Sequence, residues 1–428
     1  MTFFTVPSRW TLLIRLVIVG TFYQFQHYSI YYLVFSFIFA GSSMQEDLGI
    51  SNFEYSILSG PCTLFVTAFS IMPLAGLADR SLRPIVFLIV CACLSSAFTI
   101  CNTFAISFWT LLWPRVAFSF VSSPITPLNL RILTDRFVSN ERGTSSSLYF
   151  LTVYIGISLC SAFLYVCSII GWRLSYAIIG TTSLLASVVS LICLSSMQTQ
   201  SKASPISSDI KSLFSCKTLN YSVIGLSFKY ISQFVRASFE SIFFARMYSN
   251  KIGFYSLLNT FFILASPVSS IILGRVSDKL VDRFPSIKSV LCAISMIAPV
   301  PFMVVMYLTD NFAVAMSCLG VSSLMSEAYI GVSYAIMINV TLPKLKALQT
   351  AWMMSITMII GGIAVTIIGY LYKSLWDLRI ALICASAGPL ILSAGMYCLV
   401  YKVYSKDFEE FTRKFGVYKE LINNSITK

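Results

Sequence analysis

The sequence predicts an all-α membrane protein in which twelve helices cross the bilayer as two halves of six. Three observations predict this fold class: the composition, the spacing of the apolar runs and a polar break midway along the chain. Apolar residues make up 57% of the 428 residues and charged residues 11%, whereas soluble domains are about 25% charged. At about 20 apolar residues per membrane-spanning helix, this content suffices for about twelve spans.

The apolar runs place the spans, because each is long enough for a helix to cross the hydrocarbon core. The first run is too long for a cleavable signal peptide, so we interpret it as a span. The predicted spans cover residues 13–39, 53–76, 85–104, 106–130, 146–169, 173–195, 220–245, 252–274, 289–308, 312–340, 348–372 and 380–402.

A polar stretch rich in Ser and Lys separates the sixth span from the seventh. It divides the chain into an N-terminal half (1–195), a central loop (196–219), a C-terminal half (220–403) and a cytosolic tail (404–428). Aromatic residues in the tail recur at helical spacing between Lys and Glu, which predicts an amphipathic helix on the membrane surface. A flexible tail is the alternative.

Short motifs recur between the halves in the same order and at a nearly constant offset. The matches are Gly76 and Asp79 with Gly274 and Asp278, and Arg173 with Arg379. The recurrence predicts that one six-helix unit is duplicated.

Lys and Arg residues lie mostly on one side of the predicted spans. Of the 30, 22 lie before the first span, after the last, or in the loops that follow even-numbered spans. Because cytoplasmic loops carry such an excess, both termini are predicted to be cytosolic. A plasma membrane and an endolysosomal or vacuolar membrane fit this pattern equally. Orientation in the membrane thus explains the net charge of +13, and no nucleic-acid partner is predicted.

The sequence offers no set of residues for enzyme chemistry. It contains one His, no cluster spaced like metal ligands and no nucleophile beside a base. Nearly all of the 12 Cys lie in apolar stretches, where a thiol behaves as a small hydrophobe. We therefore predict no catalytic residues, no metal and no cofactor.

The loop after the second span reads GLADRSLR and resembles the Gly-x-Leu-Ala-Asp-Arg-x-Gly-Arg-Arg signature of the major facilitator superfamily. Leu82 replaces the second Gly and Pro84 the last basic residue. The resemblance implies two six-helix halves that alternate access to a central cavity, with this loop in a latch between them. A simple charged turn is the alternative. The implied gating or latch residues are Gly76, Asp79, Arg80, Arg83, Gly274 and Asp278.

Within that superfamily the chain is similar to the spinster-like lysolipid and sphingolipid transporters. The similar stretches are DLGISNFEYSILSG, ILTDRFVSNERGTSSSLYF and SEAYIGVSYAIMINVTLPKLKALQ. This chain has Gln26-His27 where those transporters usually have an acid beside an Arg, and Ser122 where they have a Glu. The resemblance implies a lysolipid substrate.

Six ionisable side chains lie deep within the predicted spans. They fall only in spans one, four, seven and ten, the first helix of each three-helix repeat, which in the resembling superfamily line the central cavity. A charge at this depth requires a partner or a water-filled cavity. The six are His27, Arg115, Lys229, Arg236, Glu240 and Glu327.

Three of these groups share one face of span seven, because Lys229, Arg236 and Glu240 project within about 40° of one another on a helix. Arg236 and Glu240 are spaced to pair, which leaves Lys229 requiring a partner or a ligand. A ladder of ion pairs that holds helices together is the alternative interpretation.

Glu327, with Glu240 beside the cations of span seven, is predicted to carry a coupling proton. Burial and nearby cations act in opposite directions on a carboxyl group, so its protonation can follow the access of water. A static partnership of Glu327 with Arg115 or Lys229 is the alternative.

The predicted substrate-binding residues lie in spans one, four and seven, where cations outnumber the acids of the cavity three to two. This excess suits an anionic or zwitterionic substrate, and the aromatic side chains of span one either hold an acyl chain or serve packing. His27 has two readings, a pH switch or a neutral core residue. The predicted substrate-binding residues are His27, Tyr31, Arg115, Lys229 and Arg236.

Together these features predict a secondary transporter, working as a monomer, whose partners are a small-molecule substrate, protons and the lipid bilayer. The predicted substrate is an amphipathic zwitterion or anion such as a lysophospholipid. Two alternatives stay open: a carrier of a small organic anion or other polar metabolite, and a transport-inactive receptor or scaffold.

Overall fold

The computed structural model describes residues 9–33, 43–80, 84–137, 139–192, 216–281, 286–341, 346–372 and 374–426. Within these ranges the protein is built of helices joined by short turns, and no strand occurs. The all-α prediction is confirmed.

In the first half, spans 2 and 4 each consist of more than one helix. The spans are: span 1, Arg9–Leu33; span 2, Asn52–Ser59, a π-helical turn Pro61–Phe65, and Val66–Arg80; span 3, Pro84–Cys101; span 4, Phe108–Ser122 and Ile125–Arg136; span 5, Ser139–Ile170; span 6, Trp172–Ile192. Gly171 alone joins spans 5 and 6, with the positive φ of 84° that a tight turn requires.

In the second half, spans 9 and 10 are likewise broken. The spans are: span 7, Lys217–Met247; span 8, Ile252–Val281; span 9, Ile287–Ile297 and Val300–Leu308; span 10, Phe312–Glu327 and Tyr329–Asn339; span 11, Lys346–Leu371; span 12, Leu375–Ile426. Pro124 and Pro299 stand at the breaks in spans 4 and 9, where proline removes a helical N–H donor. Span 10 breaks at Ala328, directly after Glu327.

Nine of the described helical segments are long and apolar enough to cross a bilayer. Spans 1, 2 and 7 are not among them. Span 7 carries Lys229, Arg236 and Glu240, while span 1 carries Gln26 and His27, and such side chains lower the mean hydropathy. In spans 1 and 7, the departure from lipid-like composition therefore reflects polar side chains that lie inside the protein.

Each predicted span overlaps an observed one, and the largest differences are at the ends. Span 5 begins at Ser139 rather than at 146, because its first turns are polar yet helical. Span 12 continues as one helix to Ile426 rather than ending at 402. The tail is thus a continuation of span 12, and its predicted position on the membrane surface stays a prediction.

The buried side chains form three apolar clusters, which lie at different depths along the spans. One cluster joins both halves on the side of the loops 1/2, 3/4 and 5/6, which we call the opposite face. The other two lie toward the side of the chain termini, the terminal face, one within each half. Among the described residues the halves therefore share a core only near the opposite face.

Two antiparallel seams, defined here by their contacts, join the halves. The 5/8 seam comprises Tyr165 with Gly253, Ser161 with Ser256 and Asn259, and Ser158 with Thr260. The 2/11 seam comprises Asn52 with Tyr372, Ser56 with Gly369, Gly60 with Gly362, and Ala68 with Ser355. Both seams start at the opposite face and reach the middle of the spans, so they close that face.

Two arginines near the N-terminal ends of spans 6 and 12 make matching contacts at the opposite face. Arg173 donates to the carbonyl oxygen of Ala105 after span 3 (2.7 Å) and pairs with Asp47 (2.8 Å). Arg379 donates to the carbonyl oxygen of Leu308 at the end of span 9 (3.3 Å) and pairs with Asp310 (2.6 Å). The two contacts correspond as the sequence repeat predicts.

The projecting part of span 12 is held to the C-terminal half at the terminal face. Asp407 accepts a hydrogen bond from the backbone N–H of Thr218 in the first turn of span 7 (2.7 Å), and Ser405 bonds to Ser286 before span 9 (2.8 Å). Burial, with Asp407 nearby, raises the pKa of the Cys216 thiol to about 11. The thiol therefore stays protonated and donates to Asp407 at 3.6 Å.

Candidate functional site

The structure brings Lys229 of span 7 and Glu327 of span 10 together. The Lys229 Nζ atom lies 3.7 Å from Glu327 Oε1 and 5.2 Å from the centre of the Tyr329 ring. The lysine side chain is 2% exposed and the carboxylate 15% exposed. A buried ammonium is thus balanced by a partly exposed carboxylate.

Glu327 is the last residue before the break in span 10. The C-terminal end of a helix carries partial negative charge, which disfavours a carboxylate, so Lys229 supplies the compensating charge. Interrupted helices in transporters often mark ligand or ion sites. The second carboxylate oxygen, Oε2, accepts a hydrogen bond of 3.3 Å from the Tyr154 hydroxyl of span 5.

Arg236 and Glu240 form a second ion pair on the same face of span 7. The Arg236 Nε atom lies 2.8 Å from Glu240 Oε2, and both side chains are 12% exposed. Tyr307 of span 9 donates to the same carboxylate oxygen at 3.5 Å. The pair that the spacing of four residues predicts is present, and it is within a single helix.

Arg115 is placed differently from the cations of span 7. Its guanidinium donates to the carbonyl oxygens of Gln26 (3.3 Å) and His27 (2.6 Å) and to the Thr63 hydroxyl (3.3 Å). It also lies 5.0 Å from the centre of the Phe118 ring, and no carboxylate in the described part of the chain contacts it. Arg115 joins span 4 to spans 1 and 2.

The His27 imidazole packs against aromatic rings, and its backbone carbonyl accepts from Arg115. The rings of Tyr28, Tyr31 and Phe118 are 5.0–6.5 Å from the imidazole centre. The Nδ1 atom is buried, and no described residue bonds to it. The Tyr31 hydroxyl donates to the carbonyl oxygen of Ser59 at 3.1 Å, so this predicted substrate residue contacts span 2.

Two apolar grooves lie outside this charged region, on the outer surface of the C-terminal half. One, of about 580 Å³, runs between spans 9 and 12 past Ile294 and Tyr401. The other, of about 460 Å³, runs between spans 7 and 11 past Ile224 and Ile356. Their apolar walls match lipid rather than the polar chemistry of the ion pairs.

The sequence profile of the Major Facilitator Superfamily matches residues 16–342. The chain belongs to this superfamily. Its members are transporters, so the protein is a multi-pass membrane transporter and not an enzyme. The prediction of the family and of its fold is confirmed.

Solved structures of other major facilitators share the fold. A bacterial homologue of the human lysosomal transporter Spinster, in an inward-facing and occupied conformation, superposes with a TM-score of 0.80 at 18% identity, covering 94% of this chain and 99% of that one. A D-xylose–proton symporter gives 0.67 at 12% identity, covering 90% and 97%. The nucleoside transporter NupG gives 0.65 at 14%, covering 93% and 99%. No curated protein matches this chain in sequence.

The predicted latch residues of this major facilitator are only partly described. Gly76, Asp79 and Arg80 lie in the last turns of the helix Val66–Arg80, and Asp278 lies in span 8, but only the helical backbone of these four residues is described. Arg83 lies outside the described residues altogether. Gly274 lies in span 8 with open space around it. Their latch role stays a prediction.

Sequence reasoning missed the tyrosines that contact the buried carboxylates. Tyr154 and Tyr307 donate to Glu327 and Glu240, and the Tyr329 ring packs against Lys229. Tyr329 follows Glu327 closely in sequence, which was a usable signal. Tyr154 and Tyr307 lie in apolar stretches, and nothing in their sequence surroundings links them to Glu327 or Glu240, so only the packing of spans 5 and 9 reveals them.

Proposed function

We propose that the protein is a proton-coupled carrier that moves an amphipathic zwitterion such as a lysophospholipid by alternating access. The observation that carries the coupling is the contact between Lys229 and Glu327 at the break in span 10. The opposite face is closed by the two seams, so in an alternating-access cycle the site would exchange with the terminal face, which we propose is cytosolic.

Glu327 is the better of the two candidate proton carriers. Its carboxylate has one cationic partner at 3.7 Å, whereas Glu240 is bonded to Arg236 at 2.8 Å within the same helix. A charged side chain inside a membrane is costly without compensation. A carboxylate that solvent reaches, and whose compensation depends on another helix, is suited to exchange a proton as the helices move.

The ion pair of Arg236 and Glu240 supports a zwitterionic substrate. A guanidinium is suited to bind a phosphate group, and a neighbouring carboxylate with tyrosine rings is suited to a quaternary ammonium group. Both members of the pair remain partly exposed. The lysolipid itself is proposed from the sequence resemblance to spinster-like transporters, and the bacterial Spinster homologue shares the fold.

Uptake of labelled lysophosphatidylcholine into proteoliposomes tests this proposal, with and without an imposed pH gradient. The native chain is expected to show uptake that the gradient stimulates. In Glu327→Gln the gradient-driven uptake is expected to fall by at least a factor of about ten, which is equivalent to about 1.4 kcal/mol. Glu409→Gln, the same substitution at an exposed position of the tail, serves as the matched control.

The possible results separate the alternatives. Stimulation that persists in Glu327→Gln would refute the coupling role. Absence of lysolipid uptake by folded native protein would refute the substrate and favour a small organic anion, to be sought with a panel of such anions. Ligands that bind but are never taken up would indicate a receptor or scaffold.

A further inference from the structure

Span 5 presents one helical face to the C-terminal half, and the charged site lies at the end of that face. Contacts of the 5/8 seam recur every three or four residues down to Ser158. The next residue on this face is Tyr154, one turn closer to the terminal face, and its hydroxyl donates to Glu327 Oε2 at 3.3 Å. The seam that closes the opposite face therefore ends on the proposed proton carrier.

The two oxygens of the Glu327 carboxylate contact different halves of the protein. Oε1 faces Lys229 of its own half at 3.7 Å, and Oε2 accepts the bond from Tyr154 of the other half. Tyr154 is thus a side chain of the N-terminal half that bonds directly to a charged group of span 10. A rigid movement of one half against the other would change the Tyr154 contact and leave the Lys229 contact in place.

We propose that Tyr154 is a positioning residue through which the N-terminal half sets the proton affinity of Glu327. The inference rests on the proposed proton coupling and adds the direction in which the proton crosses the protein. When the opposite face is closed, the hydroxyl stabilises the ionised carboxylate. When the 5/8 seam opens, the carboxylate loses this donor and binds a proton from the opposite face, which it releases to the terminal face after closure.

Other titratable groups surround Glu327 without making this connection. Tyr28 of span 1, Tyr230 and Arg236 of span 7, and Tyr329 of span 10 are close enough to interact with it electrostatically. None of these four donates a hydrogen bond to the carboxylate in the described structure. From the described parts of spans 8 and 9, no charged side chain contacts Glu327.

Infrared difference spectroscopy during a pH titration tests the proposal without any substrate. Purified full-length protein in lipid nanodiscs is compared as native chain, Tyr154→Phe and Glu327→Gln, and the protonated carboxyl band that Glu327→Gln removes is assigned to Glu327. Tyr154→Phe is expected to raise the pH midpoint of this band by about one unit, because the ionised form loses a donor. Tyr165→Phe, which removes a hydroxyl from the same face of span 5 away from Glu327, is the matched control and is expected to leave the midpoint unchanged.

The outcomes distinguish this inference from the function on which it rests. A midpoint in Tyr154→Phe equal to that of the native chain would overturn the role of Tyr154 and leave Glu327 as the carrier. If Glu327→Gln removed no band, proton coupling at Glu327 and the role of Tyr154 would both be wrong. Equal midpoint shifts in Tyr154→Phe and Tyr165→Phe would indicate a general disturbance of the seam and would also overturn the proposal. Monodisperse elution of each variant in size-exclusion chromatography establishes that it is folded.

Discussion

The two halves of the protein accommodate buried positive charge in different ways. In the N-terminal half, Arg115 is surrounded by neutral oxygens, two of them backbone carbonyls of span 1. In the C-terminal half, Lys229 and Arg236 each lie beside a carboxylate. A carbonyl oxygen cannot take up a proton at physiological pH, whereas a carboxylate can, so of these three cations Lys229 and Arg236 have partners whose charge is adjustable.

This difference suggests a division of labour between the halves. Arg115, which an arginine's high pKa keeps charged, fixes the geometry of spans 1, 2 and 4. In the proposed mechanism, the carboxylates of spans 7 and 10 are the groups whose charge changes during transport. The difference predicts that substitutions in the first half affect stability, while those in the second affect the dependence of transport on pH.

The largest expected effect is on stability, from Arg115→Met. The substitution keeps much of the volume but removes the three donors, so the unfolding free energy is expected to fall by about 2–4 kcal/mol. Thermal unfolding in detergent measures the change, and Arg413→Met on the exposed part of the tail is the control. A melting temperature equal to that of the control would contradict a structural role for Arg115.

A second substitution tests how the halves are joined at the 2/11 seam. A methyl group at Gly369 would overlap the Ser56 side chain and lie 3.0 Å from the backbone oxygen of Asn52. Gly369→Ala is therefore expected to disfavour closure by about 1–3 kcal/mol. Distances between spin labels at the opposite face are expected to shift toward an open population.

The control for this substitution is Gly388→Ala in span 12, where a methyl group would meet open space. Its distance distribution is expected to match that of the native chain. A native distribution in Gly369→Ala as well would show that the seam accommodates the methyl group.

A double-mutant cycle on Lys229→Met and Glu327→Gln sharpens the comparison for the second half. The coupling energy is expected to be about 1–2 kcal/mol above neutral pH. Lys229→Met leaves an uncompensated carboxylate, which protonation relieves. Its stability deficit is therefore expected to shrink as the pH falls and to grow as the pH rises. A deficit that is independent of pH would mean that Glu327 does not change its charge.

The smallest expected effect concerns the end of the C-terminal half. Asp407→Ala removes the acceptor for the backbone N–H of Thr218, and the loss of such a cap costs about 1 kcal/mol. Hydrogen exchange at the start of span 7 is expected to quicken. Glu409→Ala, two residues further along the same helix, is expected to leave exchange at that site unchanged.

The fold and the charged residues were predictable from the sequence because they depend on composition and periodicity. Apolar runs placed the spans, and the spacing of Arg236 and Glu240 predicted their pairing within one helix. Nothing local indicated that Glu327 pairs with Lys229 rather than with Arg115, since that choice depends on how spans 4, 7 and 10 pack. The carbonyl partners of Arg115 were equally hidden, because every residue carries a backbone carbonyl and only the close approach of spans 1 and 4 selects two of them.

The long helix of span 12 has a mechanical consequence. Its 52 residues measure about 78 Å at 1.5 Å per residue, well over the roughly 30 Å thickness of the hydrocarbon core. Ser405 and Asp407 join span 12 to the starts of spans 9 and 7. The C-terminal part of this helix would therefore move together with the C-terminal half. A small tilt of the C-terminal half within the bilayer would therefore displace the C-terminal end of span 12 by a larger distance. A fluorophore attached there would detect this displacement in each transport cycle.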